Sequence, residues 1–416
     1  MTTSAGVAEA VANTPPSEVG GDRSPIAEML ATRAALNAAF FAAESQRIAE
    51  LCATMADRFV RGGRLIAVGA SPAARSDARH VAVEFMHPVI VGKRALPAIG
   101  LTGLIDGAVN RLAALARQDD IVMCFGGDEG LEAALSESLA LCRRRGCLTI
   151  AFESLGAEVE LEPPSDDPFA RQESIETLYH VLWELVHVFF EHGTTTASPE
   201  NHPGGSAFLY PFLAGAPTDR AAILRDVSAS VVAKARDVNA LRGRMLDDRG
   251  AAILTEAARD VARRLASGGS VFAFGNGGSA TDAMDLVADL RCPPRHMAGG
   301  LSPRRALDLT DDVSIVTALA NDVSVDVIYA RQIAALAGPE DIAVAFSTSG
   351  SSRNVIAALD EARRRGSLTV AFTGYDGGQI AHDGHAEHVI NAPSQHIPRI
   401  QEAHATGYHI LRTLIG

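Results

Sequence analysis

The sequence predicts an α/β fold made of two tandem domains, each a parallel sheet covered by helices on both faces. Three observations support this prediction. Short apolar runs alternate with amphipathic helical segments, as they do in parallel sheets between two layers of helices. Segments of the first half recur in the second half, and turns rich in glycine or serine follow two of the apolar runs. The 416 residues leave room for two or three domains.

The recurring segments indicate an internal duplication. They occur in the same order in both halves, and the offset between them grows along the chain, as loop insertions in one copy require. The matched pairs are 61–69 with 267–275, 143–152 with 363–372, and 179–182 with 408–411.

Composition sets the boundaries of the two copies. Residues 1–25 are rich in Ala, Ser, Pro and Gly without an apolar core, which is typical of a flexible tail and not of a signal peptide. The first copy is predicted to span 26–192. Residues 193–219 contain clustered Thr, Pro and Gly, which predict a linker, and the second copy spans 220–416.

The elements are clearest in the second copy. Helical periodicity covers about 220–267, and a last helix begins near Pro398. The runs between them predict five strands separated by amphipathic helices. These strands are expected near 270–274, 314–318, 342–346, 368–372 and 387–390.

A serine-rich loop is the most informative feature of the chain. The apolar run 342–346 leads directly into Ser347–Ser352 and then into a helix over 353–365. Hydroxyls and backbone N–H groups at a helix N-terminus favour an anion, because the helix dipole points its positive end there. No Gly-Lys-Ser/Thr follows, so the loop is not a nucleotide P-loop. A small phosphorylated metabolite fits it better.

A second loop of this kind lies upstream. The run 271–274 is followed by Gly275–Ser279, where the glycines permit positive φ and close approach of a ligand. Open parallel sheets bind ligands at the carboxyl ends of their strands, where both loops are expected. Together they predict a phosphate site.

Composition excludes several classes of protein. A net charge of −13 argues against nucleic acid as a ligand. No uninterrupted apolar stretch of about 18 residues is present, so no membrane span is expected. The five cysteines show neither a CxxC pair nor metal-ligand spacing, which favours reduced thiols and a cytoplasmic protein.

Six groups of residues spread over the second copy form a recognisable set. They are Gly275–Ser279 with 282–284, Asn321-Asp322, Ser347–Ser352 with Asn354-Val355, Thr373-Gly374 with 376–378, Arg399–Glu402 with His404, and His409. On these motifs the second copy resembles the SIS (sugar isomerase) domain family, and within it the sedoheptulose 7-phosphate isomerases, or phosphoheptose isomerases.

The resemblance implies a fold, a reaction and an assembly. The expected domain is a five-stranded parallel sheet in a three-layer α/β/α, flavodoxin- or Rossmann-like arrangement. The expected reaction is aldose–ketose isomerisation through an enediol, in a homotetramer with active sites at subunit interfaces. Some members bind zinc, so zinc or another divalent metal is a candidate cofactor. The residues implied to bind the phosphate or substrate are Asn276, Gly277, Ser279, Asp322, Ser347, Thr348, Ser349, Ser352 and Gln401.

The second copy departs from the family at two positions. The family's histidine and glutamate, one helical turn apart, fall on Asp285 and Asp289, whereas Gln401 and His409 match. Asp289 and His409 could still move a proton, but the shorter Asp289 side chain sets the carboxylate back, and a shift of about 1 Å can cost roughly a hundredfold in rate. If Asp285, Asp289, Gln401 and His409 bind a metal, they suit a harder ion at least as well as they suit zinc.

The first copy shows the complementary pattern. His80 and Glu84 restore the i, i+4 pair on one helix face, and Gln172 and His180 keep the spacing of Gln401 and His409. These four residues are a second candidate metal set. The phosphate loops, however, are replaced by 69–73 and 125–130, and the latter carries carboxylates that would repel a dianion.

Two hypotheses remain open. In one, a composite site joins the phosphate loops of the second copy to Glu84 and His180 of the first copy as proton carriers. In the other, the first copy is a structural partner, and its polar residues are ancestral or bind a metal. In either case a homodimer is predicted, which forms a pseudo-tetramer of domains.

The sequence thus predicts an isomerase of a heptose phosphate or a similar sugar phosphate. The alternative is a non-catalytic sugar-phosphate sensor or scaffold that acts through a protein partner, which the changes at Asp285 and Asp289 favour. A lyase of amino-sugar phosphates, as in etherase relatives, is a third possibility. The Arg399–Glu402 segment argues for the isomerase branch instead.

Overall fold

A computed structural model describes residues 24–90, 93–102, 112–126, 130–193, 220–294 and 300–416. The predicted tail falls almost entirely outside these residues, and so does the predicted linker. Two of the residues expected to repel phosphate in the first copy, Asp128 and Glu129, also lie outside them.

The first copy contains a five-stranded sheet whose strands all run parallel, in the order β2-β1-β3-β4-β5. Its long first helix ends just before the first strand. The elements are α1 (Pro25–Val60), β1 (Leu65–Gly69), α2 (Pro72–Met86), β2 (Ala98–Thr102), β3 (Ile121–Cys124), α3 (Glu132–Arg144), β4 (Leu148–Ala151), β5 (Val159–Glu160) and α4 (Pro168–Gly193).

The second copy repeats this order as β7-β6-β8-β9-β10, again with parallel pairing throughout. Its elements are α5 (Arg220–Met245), α6 (Asp248–Ala266), β6 (Val271–Phe274), α7 (Gly278–Arg291), β7 (Ala306–Asp308), α8 (Val313–Asp322), a 3-10 turn (Val325–Val327), α9 (Ile328–Leu336), β8 (Ile342–Ser347), α10 (Arg353–Arg364), β9 (Leu368–Gly374), α11 (Gly378–His382), β10 (His388–Ala392) and α12 (Ile397–Ile415). The shared order confirms the predicted fold class.

Buried apolar strands account for the layered architecture. Strand β6 is buried along its whole length, as expected when both faces of a parallel sheet are covered. Successive side chains point to opposite faces. Val271 and Ala273 therefore pack in one core with helices α6, α7 and α12, whereas Phe272 and Phe274 pack in another with α9 and α10.

One predicted strand is wrong. The segment 314–318 belongs to helix α8, and the strand that pairs with β6 is Ala306–Asp308. Asp312 starts the helix, because its side chain accepts hydrogen bonds from the N–H groups of Ser314 and Ile315. The apolar, β-branched composition of 314–318 resembles a strand, but the cap decides the local structure.

The predicted helix over 220–267 is two helices, α5 and α6. The side chain of Asp247 caps the second of them by accepting hydrogen bonds from the N–H groups of Arg249 and Gly250.

The two copies meet through equivalent helices. Helix α2 of the first copy packs against its counterpart α7, and α4 packs against its counterpart α12. A second contact joins α1 to α5. Such reciprocal pairing is the geometry of a twofold dimer interface, here formed within one chain. It brings the polar faces of α2, α4, α7 and α12 together in the interior.

Helix α1 is, within the described residues, the one helix long and apolar enough to cross a membrane by length and composition alone. Core helices of soluble proteins pass the same test. Phe41 and Ile48 of α1 are fully buried in the core of the first copy, where the helix lies against α4 and α5.

Candidate active site

Two loops leave neighbouring strands at the same end of the second sheet. Strand β6 pairs with β8 on one side and with β7 on the other, so the strand order reverses between β6 and β8. Ligands bind at such switch points in open α/β sheets. Two reciprocal side-chain hydrogen bonds of 2.9 Å between Asn276 and Asn354 tie the first loop to the start of α10, which follows the second loop.

The loop geometry suits an anion. Gly277 and Gly350 have φ of 58° and 61°, which glycine adopts without strain. Helices α7 and α10 begin directly after the loops, so both N-termini lie at this end of the sheet. Ser347 Oγ and Ser352 Oγ are 3.2 Å apart, and Ser352 makes no side-chain capping bond.

The remaining predicted phosphate residues lie in or near these loops, with one exception. Ser279 is buried in the first turn of α7, Thr348 is partly buried, and Ser349 is exposed. Asp322 is exposed at the end of α8, where its carboxylate accepts a hydrogen bond from Asn321.

His80, Glu84, His180 and Gln401 form one buried group, which we call the mixed centre because both copies contribute to it. His80 Nε2 lies 3.4 Å from His180 Nε2 and 3.9 Å from Glu84 Oε1. Gln401 lies beside His80 in the tight space at the start of α7: a methyl group added at Gly278 would overlap the Gln401 amide and come within 2.7 Å of His80 Nε2. The mixed centre thus adjoins the Gly275–Ser279 loop.

Partners from both copies orient the two imidazoles. The Tyr179 hydroxyl contacts His80 Nδ1 at 2.9 Å. His180 Nδ1 donates to Glu402 Oε1 at 3.0 Å, and Glu402 is paired with Arg399. Because its Nδ1 donates to this carboxylate, His180 keeps the lone pair of Nε2 facing the mixed centre.

Burial shifts the acidity of the mixed centre. Burial, with added repulsion from Glu184 and Glu402, raises the pKa of Glu84 to about 8. Burial and the nearby Arg399 lower the pKa of His180 to about 3. Both shifts favour the uncharged forms of these side chains at neutral pH.

A reciprocal group, which we call the second centre, consists of Asp285, Asp289, His409 and Gln172. His409 Nε2 lies 3.4 Å from Asp285 Oδ2 and 3.4 Å from Asp289 Oδ2. Gln172 of the first copy donates to Asp285 Oδ1 at 2.8 Å. Burial opposes charge on the His409 ring, but its carboxylate neighbours raise the pKa of His409 well above the usual range.

The two glutamines are exchanged relative to the sequence-based grouping. Gln401 was expected beside Asp285 and Asp289, but it lies beside His80. Gln172 was expected beside His80, but it bonds Asp285. Helices α4 and α12 cross between the copies, so each glutamine reaches the opposite centre.

Sequence reasoning missed the residues that orient the ring nitrogens. These are Tyr179, Glu173 and Glu402. The repeat carried a signal for them, since the pair Gln-Glu occurs at 172–173 and 401–402 and the pair Tyr-His at 179–180 and 408–409.

Comparison with known proteins agrees with this architecture. The family model of the SIS domain matches residues 235–374. A probable phosphoheptose isomerase of Thermoplasma acidophilum is 43% identical over 155 residues, which are 37% of this chain and 82% of that protein. The phosphoheptose isomerase of Aquifex aeolicus is 41% identical over 162 residues, 39% of this chain and 82% of that protein.

A solved structure resembles almost the whole chain. The C-terminal domain of glucosamine-fructose-6-phosphate aminotransferase from Francisella tularensis superimposes with a TM-score of 0.58 at 9% identity, covering 96% of this chain and 97% of that chain. At this identity the likeness concerns the fold alone, and it extends over both copies. With the relatives above, it leads to one conclusion: the chain belongs to the SIS-domain family that includes the phosphoheptose isomerases.

Proposed function

We propose that this protein is a sugar-phosphate isomerase that interconverts an aldose and a ketose at the mixed centre, with a heptose phosphate such as sedoheptulose 7-phosphate as substrate. The observation that carries the proposal is the contact of His80 and Gln401 with the start of α7, because it joins the first copy's histidine to the second copy's phosphate loop. The phosphoheptose isomerases among the relatives support the reaction class and the heptose.

The phosphate would be held by the two loops. Ser347, Ser349 and Ser352 offer hydroxyls around the start of α10, and Asn276 and Ser279 lie on the neighbouring loop. Hydroxyl and backbone donors at two helix N-termini bind a dianion without a lysine. This anchor would fix the far end of the sugar and present its carbonyl end to the mixed centre.

The reaction requires one proton to move between adjacent carbons. Ionised Glu84 would take the proton from the carbon beside the carbonyl while the carbonyl oxygen gains a proton from solvent, which gives an enediol. Return of the proton to the neighbouring carbon, with loss of the other hydroxyl proton, gives the isomer. In the absence of a metal ion, the lone pair of His180 Nε2 faces the same space and would accept the hydroxyl proton that the enediol loses. With a pKa of about 8, Glu84 is mostly protonated at pH 7, and its ionised fraction takes up the substrate proton.

A metal ion fits the mixed centre. Two imidazoles and a carboxylate converge there, and Glu84 Oε2 and Gln401 Oε1 are buried without a hydrogen-bond partner among the described residues. Such nitrogen and oxygen donors suit zinc or another divalent ion. When bound, the ion would polarise the carbonyl oxygen of the sugar. His80, Glu84, His180 and Gln401 are the residues that would hold it.

Solvent deuterium uptake tests the proposal. Sedoheptulose 7-phosphate is incubated with the protein in D2O, with and without zinc, and the carbons beside the carbonyl are followed by NMR. We expect deuterium in the wild type, none above background in Glu84→Gln, and retained uptake in the matched Asp289→Asn. Parallel rates with hexose and pentose phosphates test the heptose. Ligand broadening without deuterium uptake would instead indicate a binding protein.

The predicted homodimer and cytoplasmic location remain part of the proposal. All five cysteines are free thiols, which agrees with a reducing compartment. Sedimentation equilibrium of the full chain tests the dimer: a molecular mass of a single 43.6 kDa chain at micromolar concentration would contradict it.

A further inference from the structure

One turn of the first copy carries two cysteines that the proposed reaction does not use. They are Cys142, in the last turn of α3, and Cys147, directly before β4. We infer that these two thiols form a redox-active pair, which a small disulfide such as oxidised glutathione converts into an intramolecular disulfide bond. This inference does not depend on the isomerase activity.

The end of helix α3 brings the two cysteines together. Gly146 has a φ of 84°, which turns the chain back towards the helix. The N–H of Cys147 donates to the carbonyl of Cys142 at 3.1 Å, and the N–H of Gly146 donates to that of Arg143 at 2.9 Å. These two bonds define a Schellman motif, in which the side chains at the positions of Cys142 and Cys147 commonly contact each other. The turn therefore places the two thiols side by side.

The surroundings favour a thiolate at one of the two positions. Interaction with the Cys142 thiol lowers the pKa of Cys147, although burial and Asp120 oppose this shift. The cations Arg58 and Arg145 lower the pKa of Cys147 further. The same interaction between the thiols, together with burial, raises the pKa of Cys142. Because the thiolate is the nucleophile in disulfide exchange, Cys147 is the attacking group.

The thiols lie beneath an exposed turn. Cys142 and Cys147 are 0% and 2% exposed, whereas all four residues between them, 143–146, are exposed. The ends of helices open locally at a much lower cost in free energy than the core does. Brief opening of this turn therefore gives a small disulfide access to Cys147.

The second copy shows that the turn does not need the thiols. The equivalent positions are Ala362 and Ser367, and the N–H of Ser367 donates to the carbonyl of Ala362 at 3.0 Å. Ser367 Oγ donates to the carbonyl of Gly338 at 2.8 Å. Cys147 Sγ makes the equivalent bond to the carbonyl of Arg117 at 3.2 Å. Alanine and serine thus fill the structural roles of both positions, and the thiol pair belongs to the first copy alone.

Exchange with a small disulfide balances without a further reactant. The Cys147 thiolate attacks one sulfur of oxidised glutathione, which forms a mixed disulfide and releases one glutathione thiolate. The Cys142 thiol then loses its proton, attacks Cys147 Sγ and releases the second glutathione. The protein dithiol is oxidised by two electrons, and oxidised glutathione is reduced to two thiols, which take up the two protons that the protein loses.

Oxidation of the full chain tests the inference. The exposed Cys292 is first replaced by serine, so that it cannot take up glutathione. The reduced protein is incubated in native buffer with mixtures of reduced and oxidised glutathione and quenched with acid, and the intact chain and its tryptic peptides are analysed by mass spectrometry. We expect the loss of two hydrogens from the intact chain, and a linked peptide pair that contains Cys142 and Cys147.

Two further variants separate this pair from the other cysteines. Cys142→Ala should fold, because Ala362 occupies the equivalent position, and it should form no internal disulfide. Cys124→Ala removes another buried cysteine of the same core and is the matched control, which should oxidise as the parent protein does. Absence of a linked pair in the parent protein, its formation only in urea, a link between other cysteines, or loss of two hydrogens in Cys142→Ala would each overturn the inference.

Discussion

Gly278 shows how closely a single residue controls the site. It begins α7 and has His80 and Gln401 against its Cα, so the backbone itself forms one wall of the mixed centre. Glycine is required there by the close approach of side chains from other helices, and not by a special backbone angle. The position thus shapes the mixed centre although it carries no chemical group.

Gly278→Ala should therefore disable the site more than the fold. The added methyl group displaces His80 and Gln401, and misplacement by about 1 Å can cost roughly a hundredfold in kcat. Gly243 in α5 has open space around it, so Gly243→Ala should leave kcat unchanged and raise stability by up to about 1 kcal/mol. Equal activity of the two variants in a steady-state assay would contradict the prediction.

His404 illustrates a buried ionisable side chain with a structural role. It is fully buried in α12, and its Nε2 donates to the carbonyl of Thr373 at 2.9 Å. Burial lowers the pKa of His404 from 6.5 to about 4. The folded protein therefore holds this ring neutral at pH values where the unfolded chain protonates it.

The stability of the protein should fall on acidification partly because of His404. Below pH 6.5 the unfolded state gains a proton that the folded state does not, and this continues down to about pH 4. His404→Gln keeps a donor for Thr373 and removes the titration, so its unfolding free energy should fall less steeply, by up to about 1.4 kcal/mol per pH unit. Urea unfolding between pH 4 and 8 measures this. Parallel curves for both proteins would exclude the effect.

At the scale of elements, the local sequence predicted strands where burial on both faces determines the structure. It failed where a helix cap determines the structure. The strands at 271–274, 342–347 and 368–374 were predicted closely, because continuous apolar runs follow from burial on both faces. Helix α8 was predicted as a strand because its β-branched residues outweighed the cap at Asp312.

Removal of this cap should destabilise α8. Asp312→Ala leaves the N–H groups of Ser314 and Ile315 without their acceptor and should cost about 1 kcal/mol. Asp312→Asn keeps an acceptor and should restore most of the loss. Thermal unfolding of the three proteins measures the difference. Stability of the alanine variant equal to that of the wild type would show that the cap is dispensable.

The sequence predicted which residues belong to the site, but not which of them contact one another. The repeat register found His80, Glu84, Asp285 and Asp289, because i, i+4 spacing on a helix is visible in sequence. The exchange of Gln172 and Gln401 was not visible, because it depends on how four distant helices cross in space. Long-range packing of this kind has no local periodicity.

At the scale of the whole molecule, buried ion pairs join the copies. Glu184 of α4 is 1% exposed and pairs with Lys234 of α5 and Arg399 of α12. Burial of such charges is tolerated only because each has a partner, and here the carboxylate of the first copy is paired with cations of the second.

Glu184→Ala should consequently be costly. It removes a buried carboxylate that pairs with the half-buried Lys234 and with Arg399, which keeps Glu402, and breaking a buried ion pair typically costs about 3–5 kcal/mol. Glu44, partly exposed in α1 and paired with Arg47, provides the control, and Glu44→Ala should cost less than about 1 kcal/mol. Urea unfolding compares them. Equal losses would mean that the pairs between the copies do not contribute to stability.

The reciprocal packing of α2 against α7 within one chain has a consequence for evolution. In a dimer of identical subunits, every mutation appears on both sides of the symmetry axis, so neither centre can lose a group without the other losing it too. A fused chain carries each mutation once. Glu84 and Asp289 occupy equivalent positions, and selection has been free to keep a glutamate in one gene segment and a shorter acid in the other.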